Sequence, residues 1–160
     1  MIESIISDMK RLVKLHKSLL HASKEKTEAL KNNDTAKLQQ LGQEERRHIQ
    51  AVEKVERVRQ ANVTAWYEEQ GITNPDPTVS DMLERLEGES YDALNAEYEA
   101  MILVLADLKN QERLNAELTQ QSLQFINLSL DLLQPSLSNM NYGGEEDSDK
   151  PKRSVFDSRA

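Results

Sequence analysis

With no cysteine in the chain, its three histidines and its carboxylates are the side chains best placed to do chemistry. One spacing stands out. Glu45-Arg46-Arg47-His48 is a Glu-x-x-His pair, which on a helix sets a carboxylate and an imidazole on one face, as in di-iron bundles. Such a site needs a second Glu-x-x-His and two more inward carboxylates, and the sequence contains no second copy. His48 therefore reads as a seam or surface residue, His16 as a polar position on an apolar seam, and His21 as a solvated side chain. There is no Gly-rich phosphate loop, Gly-x-Ser-x-Gly elbow or His-Glu-x-x-His. Glu and Lys four residues apart are abundant, as on any solvated helix. No catalytic, cofactor-binding or metal-binding residue is assigned, and an enzyme is not expected.

Composition narrows the remaining classes. Charged residues make up 30% of the 160 positions, aromatics 4%, and glycines number five. That is the profile of long helices joined by a thin seam, and it argues against a sheet. A net charge of -8 disfavours nucleic acid, whose phosphates need a basic surface. Lys150, Lys152 and Arg153 form one small basic patch, but Glu145, Glu146, Asp147 and Asp149 cancel most of its field. The opening residues Met1 to Asp8 are acidic and lack the order of a secretion signal. No apolar run approaches the ~18 residues of a membrane span. The expectation is a cytoplasmic protein with no membrane insertion.

Apolar periodicity then supplies the elements. Ile2, Ile5, Met9, Leu12, His16, Leu19, Ser23 and Leu30 mark a first helix over 2–31, broken at Asn32-Asn33-Asp34. Asn tolerates the left-handed conformation that closes a helix, and Asp34 is suited to cap the next. The second helix runs from about Thr35 to Gln70, with Gly71 placed as its stop and a seam through Leu38, Leu41, Glu45, His48 or Ile49, Val52, Val55, Arg59, Val63 and Trp66. Asn74-Pro75-Asp76-Pro77 lies in a connector over 71–88, where Ser80 could cap a short helix through Leu86. The third long helix, about 45 residues, follows the connector with one continuous seam through Tyr91, Leu94, Tyr98, Met101, Leu105, Leu108, Glu112, Asn115, Thr119, Ser122, Ile126, Leu130 and Leu133, and is ended or kinked near Pro135. The fold expected is all-α: an elongated antiparallel bundle of three long helices, with a helical domain over 1–140 and a disordered polar tail over 141–160.

From Leu118 to Gly144 the charge stops, and Asp131 is the only ionised side chain. Gln120, Gln124, Asn127, Asp131 and Gln134 share a narrow arc of roughly 80°. The apolar arc is about twice the ~100° that one core contact uses. One flank, with Ile126, Leu130 and Leu133, continues the seam; the other carries Leu118, Phe125, Leu128 and Leu132. An up–down–up path lets the third helix overhang the shorter hairpin near and beyond residue 125. Such a face is covered by another chain, by a fold-back at Pro135, or by a second protomer.

The stretch Glu28-Ala29-Leu30-Lys31-Asn32-Asn33-Asp34-Thr35-Ala36-Lys37-Leu38 resembles the helix–turn–helix junction of the FlgN family of flagellar export chaperones. Leu114-Asn115-Ala116-Glu117-Leu118-Thr119-Gln120-Gln121-Ser122-Leu123-Gln124-Phe125-Ile126 is similar to the family's last helix, and the likeness runs over about 2–142. The ending Ser154 to Ala160 looks like that of Gram-positive members. The resemblance implies a cytoplasmic chaperone, without cofactor, that holds hook-associated proteins (FlgK/FlgL-like) through its C-terminal helix and hands them to the export apparatus. Carried onto this chain, the partner-binding residues are Leu118, Leu123, Phe125, Ile126, Leu128 and Leu132. The alternative is a homo-oligomeric coiled-coil scaffold, or a weak homodimer through the same helix.

Overall fold

The computed structural model describes residues 1–73 and 76–140, and the side-chain surroundings of the last helix as far as Leu133. Asn74, Pro75 and the expected tail over 141–160 lie outside the described residues. The rest is all-α: α1 (Ile2–Lys31), α2 (Thr35–Glu69), the short α3 (Val79–Leu83) and α4 (Gly88–Met140). By compactness the chain divides into Met1–Gln121 and Ser122–Ala160, and α4 passes from the first unit into the second.

Local chemistry sets the helix ends. Asn33 takes φ 52°, Asp34 N–H donates to the Ala29 carbonyl at 2.9 Å, and Asn33 N–H to that of Leu30 at 3.3 Å. This paired arrangement satisfies two carbonyls that the end of α1 leaves open. Asp34 then caps α2 by accepting from Lys37 N–H at 3.0 Å. The same motif closes α2: Gly71 has φ 67°, Ile72 N–H reaches the Tyr67 carbonyl at 3.0 Å, and Gly71 N–H that of Glu68 at 3.0 Å.

Two boundaries differ from expectation. The short helix is capped by Thr78 rather than Ser80 and ends at Leu83 rather than Leu86. Thr78 Oγ1 accepts from Asp81 N–H at 3.1 Å while Asp81 Oδ2 accepts from Thr78 N–H at 3.2 Å, a reciprocal pair that Ser80, with Leu83 three residues on, has no acid to make. The last helix begins at Gly88, where the connector was expected to end, and continues through Pro135 to Met140. A proline withdraws one donor and crowds one carbonyl, a penalty of about 3 kcal/mol that a long helix can absorb.

Within the first unit α1 and α2 form an antiparallel hairpin, shown by the contacts Asp8–Asn62, Lys26–Glu45 and Glu25–Lys37. α4 runs parallel to α1, with Leu94 in the core beside Ile5 and Met9, and Asn115 hydrogen-bonded to Ser23. The main core gathers Ile5, Met9, Leu12, Val63, Trp66 and Tyr67 with Val79 and Met82 of α3. Each large side chain fully buried there contributes about 1.5–3 kcal/mol. A smaller cluster of Ala22, Ala29 and Leu41 sits towards the Asn32–Asp34 turn. Small residues at that end let the hairpin arms approach closely.

Candidate functional site

The seam of the first unit turns polar where α4 meets the far half of α1. Thr27, 5% exposed, and Asn115, 2% exposed, face each other: Thr27 Oγ1 bonds Asn115 Oδ1, and Gln111 Nε2 reaches Thr27 Oγ1. Asn115 Nδ2 donates to the carbonyl of Ser23 at 2.9 Å and to its hydroxyl at 3.0 Å. Ser23 Oγ in turn donates to Glu112 Oε1 at 2.7 Å. Lys26 links this belt to α2, 3.3 Å from Glu45 Oε2. Every donor here meets an acceptor, so the belt fixes one register between α1 and α4.

This belt corrects the sequence reading of α4. The expected line holds at Leu94, Tyr98, Met101, Leu108 and Asn115 but slips by one residue at two places: Val104 is buried and Leu105 44% exposed, and Gln111 is half-buried and Glu112 exposed. Asp8, 4% exposed, also points inward, accepting from Asn62 Nδ2 at 2.8 Å. On α2 the seam takes His48, half-buried, while Ile49 is exposed.

The candidate chemistry resolves into structural bonds. His48 Nδ1 donates to the Glu44 carbonyl at 2.8 Å, and His16 Nδ1 to that of Leu12 at 2.7 Å. Glu45 is held by Lys26, so the Glu-x-x-His pair is spent on packing. His21 is exposed, 3.6 Å from Glu25. Among the described residues no three His, Asp or Glu converge as a metal would require. On α2, Arg59 Nε donates to Glu56 Oε2 at 2.7 Å, and this bond holds the Glu56 carboxyl below its usual range and the guanidinium above its own. The fork borders an open cavity of about 730 Å³ walled by Met9, Leu12, Val63, Tyr98 and Met101.

The second unit, as far as its side chains are described, has a different surface. Leu123, Phe125, Ile126, Leu128, Leu130, Leu132 and Leu133 are all exposed, Phe125 and Leu132 to 70%. Phe125, Leu128 and Leu132 are spaced three and four apart and share one helix face; Leu123, Ile126, Leu130 and Leu133 share another. Ile126, Leu130 and Leu133 were expected to continue the covered seam, yet they too are exposed. Ser129 Oγ donates to the Phe125 carbonyl at 2.9 Å, so its hydroxyl is turned onto the helix's own backbone. Of the six partner-binding residues read from sequence, five stand on this surface; Leu118 is half-buried in the first unit, three residues after Asn115 on the inward line. A helix segment whose two apolar faces are both open, with one charge at Asp131, is suited to binding.

Among the described residues no helix is long and apolar enough to cross a membrane. The FlgN protein family matches residues 1–148. The uncharacterized protein YvyG of Bacillus subtilis (strain 168) is 36% identical over 163 aligned positions, covering 99% of this chain and 98% of that protein. No solved structure matches the chain.

Proposed function

The chain belongs to the FlgN family of cytoplasmic flagellar export chaperones, which are not enzymes, and on that premise we propose that its clients are hook-associated proteins, held by α4 over Leu123–Leu133. The observation that carries this reading is the run of seven exposed large apolar side chains in eleven residues of one helix. In water such a surface is unfavourable by about 25 cal/mol per Å² relative to a covered one. A client bearing an amphipathic terminal helix offers the matching cover, side chains at three-and-four spacing interlocking with those of α4. The client's own assembly stripe is then shielded until the export apparatus takes it over. No nucleotide and no covalent step enters, and release follows from competition for the same apolar stripe.

The experiment is calorimetric titration of the chain with purified hook-associated proteins, repeated with Phe125→Asp, Leu128→Asp and Leu132→Asp combined. All three residues are exposed, so far-ultraviolet circular dichroism should keep its helical signal while saturable binding is lost. Undiminished binding by the triple variant would overturn the reading. Collapse of helicity would instead assign these residues to a core.

A further inference from the structure

A second surface lies on the α1–α2 hairpin, in the first unit and far along the sequence from the α4 segment just discussed. Between the helices runs a groove of about 510 Å³, its floor made by Leu15, Ala51, Val55 and Val58. Val58 is 47% exposed and Leu15, Ala51 and Val55 are half-buried, so the floor is apolar and open. Arg11, Lys14 and Lys54 flank it. The single acid of the lining is Asp8, which is buried, accepts from Asn62 and stands 3.9 Å from Arg11. Lys14 and Lys54 make no ion pair among the described residues.

The charge around the groove runs against that of the whole chain. The net charge is -8, yet from Met9 to Lys24 there are five lysines and arginines and no acid. On α2, Arg46 to Val58 carries Arg46, Arg47, Lys54 and Arg57 against Glu53, while Glu56 is tied to Arg59 and the two border the separate cavity by Tyr98 and Met101. Like charges so gathered repel one another, and an anionic occupant relieves that repulsion. An apolar floor between two cationic rims fits one shape of partner in particular.

We propose that this groove docks an acidic amphipathic helix of a partner protein, leucine-like side chains on the floor and glutamates against Arg11, Lys14 and Lys54. A concave slot between two helices matches a single inserted helix better than the flat surface of a bilayer. An apolar floor has no use for nucleic-acid phosphates. This surface shares no residue with Leu123–Leu133.

The test uses the full chain, isotope-labelled, and a synthetic amphipathic Leu/Glu helix of about 18 residues, with a Leu/Lys helix of the same pattern as control. Binding of the Leu/Glu helix should move the amide signals of Leu15, Ala51 and Val58, weaken as salt is raised, and persist in the Phe125→Asp, Leu128→Asp, Leu132→Asp background. Lys14→Glu with Lys54→Glu, both at exposed unpaired positions, should weaken it about tenfold or more. Failure of the Leu/Glu helix to bind, equal binding by the Leu/Lys helix, an unchanged affinity in the double reversal, or shifts confined to 123–133 would each overturn the proposal. So would binding to phosphatidylglycerol vesicles with none to the peptide. Persistence in the triple-Asp background separates this outcome from the fate of the client site.

Discussion

Single residues decide how firmly α4 is registered on the hairpin. Asn115 carries three of the bonds that join it to Ser23 and Thr27, all out of water. Replacing it with alanine leaves Thr27, Ser23 and Gln111 competing for fewer partners, and Asn115→Ala should lower unfolding stability by about 1–3 kcal/mol in a urea titration. Glu56 makes a prediction with a sign. Its pKa is depressed in the folded state, first by the hydrogen bond from Arg59, so its contribution is fully present above the unfolded value of 4.5 and is lost as pH falls through the lower folded value. Acid titration of Glu56→Gln should therefore lack a stability decline below pH 4.5 that the parent shows, with the two converging as acid is added. Hydropathy reading could not find Asp8, Thr27 or Gln111, because a polar residue at an inward position breaks the very pattern that marks the seam. The one-residue error at Val104 and Leu105 has a related origin: Ile102 to Leu105 are four apolar residues in a row, and periodicity alone cannot say which faces inward.

Elements were legible where the rule is local. Asn33 and Asp34 were readable as a helix stop and cap because left-handed tolerance and a short carboxylate are properties of those side chains. The same reasoning placed Gly71. Its φ of 67° lies where a β-carbon strains the backbone, although nothing stands within 4 Å of the added atom. Gly71→Ala should destabilise by about 1–2 kcal/mol, the backbone term alone, measurable as a lower thermal midpoint with unchanged helicity. Thr78 escaped the sequence reading, which placed the cap at Ser80, although Asp81 follows Thr78 at the third position. Pro135 was read as an end or a kink, and the helix does not end there, because a proline's penalty is outweighed whenever the neighbouring turns favour continuing.

At the scale of the molecule, scarce aromatics, dense charge and three-and-four spacing were enough to give three long helices with a thin seam. The change of character after Leu118 was equally plain, since loss of charge needs no geometry to detect. Periodicity can say that a face is apolar, but whether it is covered depends on what packs there, and the faces of Ile126 and Phe125 turn out alike in being open. The chain thus joins two surfaces of different chemistry: a nearly uncharged apolar helix in the second unit and a basic-rimmed groove in the first. On the two proposals, the first would take an apolar stripe by area and the second an acidic one by charge.

The most direct measurement of where the client sits is site-specific photo-crosslinking. With benzoylphenylalanine in place of the 70% exposed Phe125, irradiation in the presence of a purified hook-associated protein should give one crosslinked heterodimer, competed away by unlabelled chain. The same group in place of exposed Arg46 on α2 should give none. A crosslink from position 46 alone, or a product at 125 that joins two copies of this chain whether or not client is present, would contradict the account.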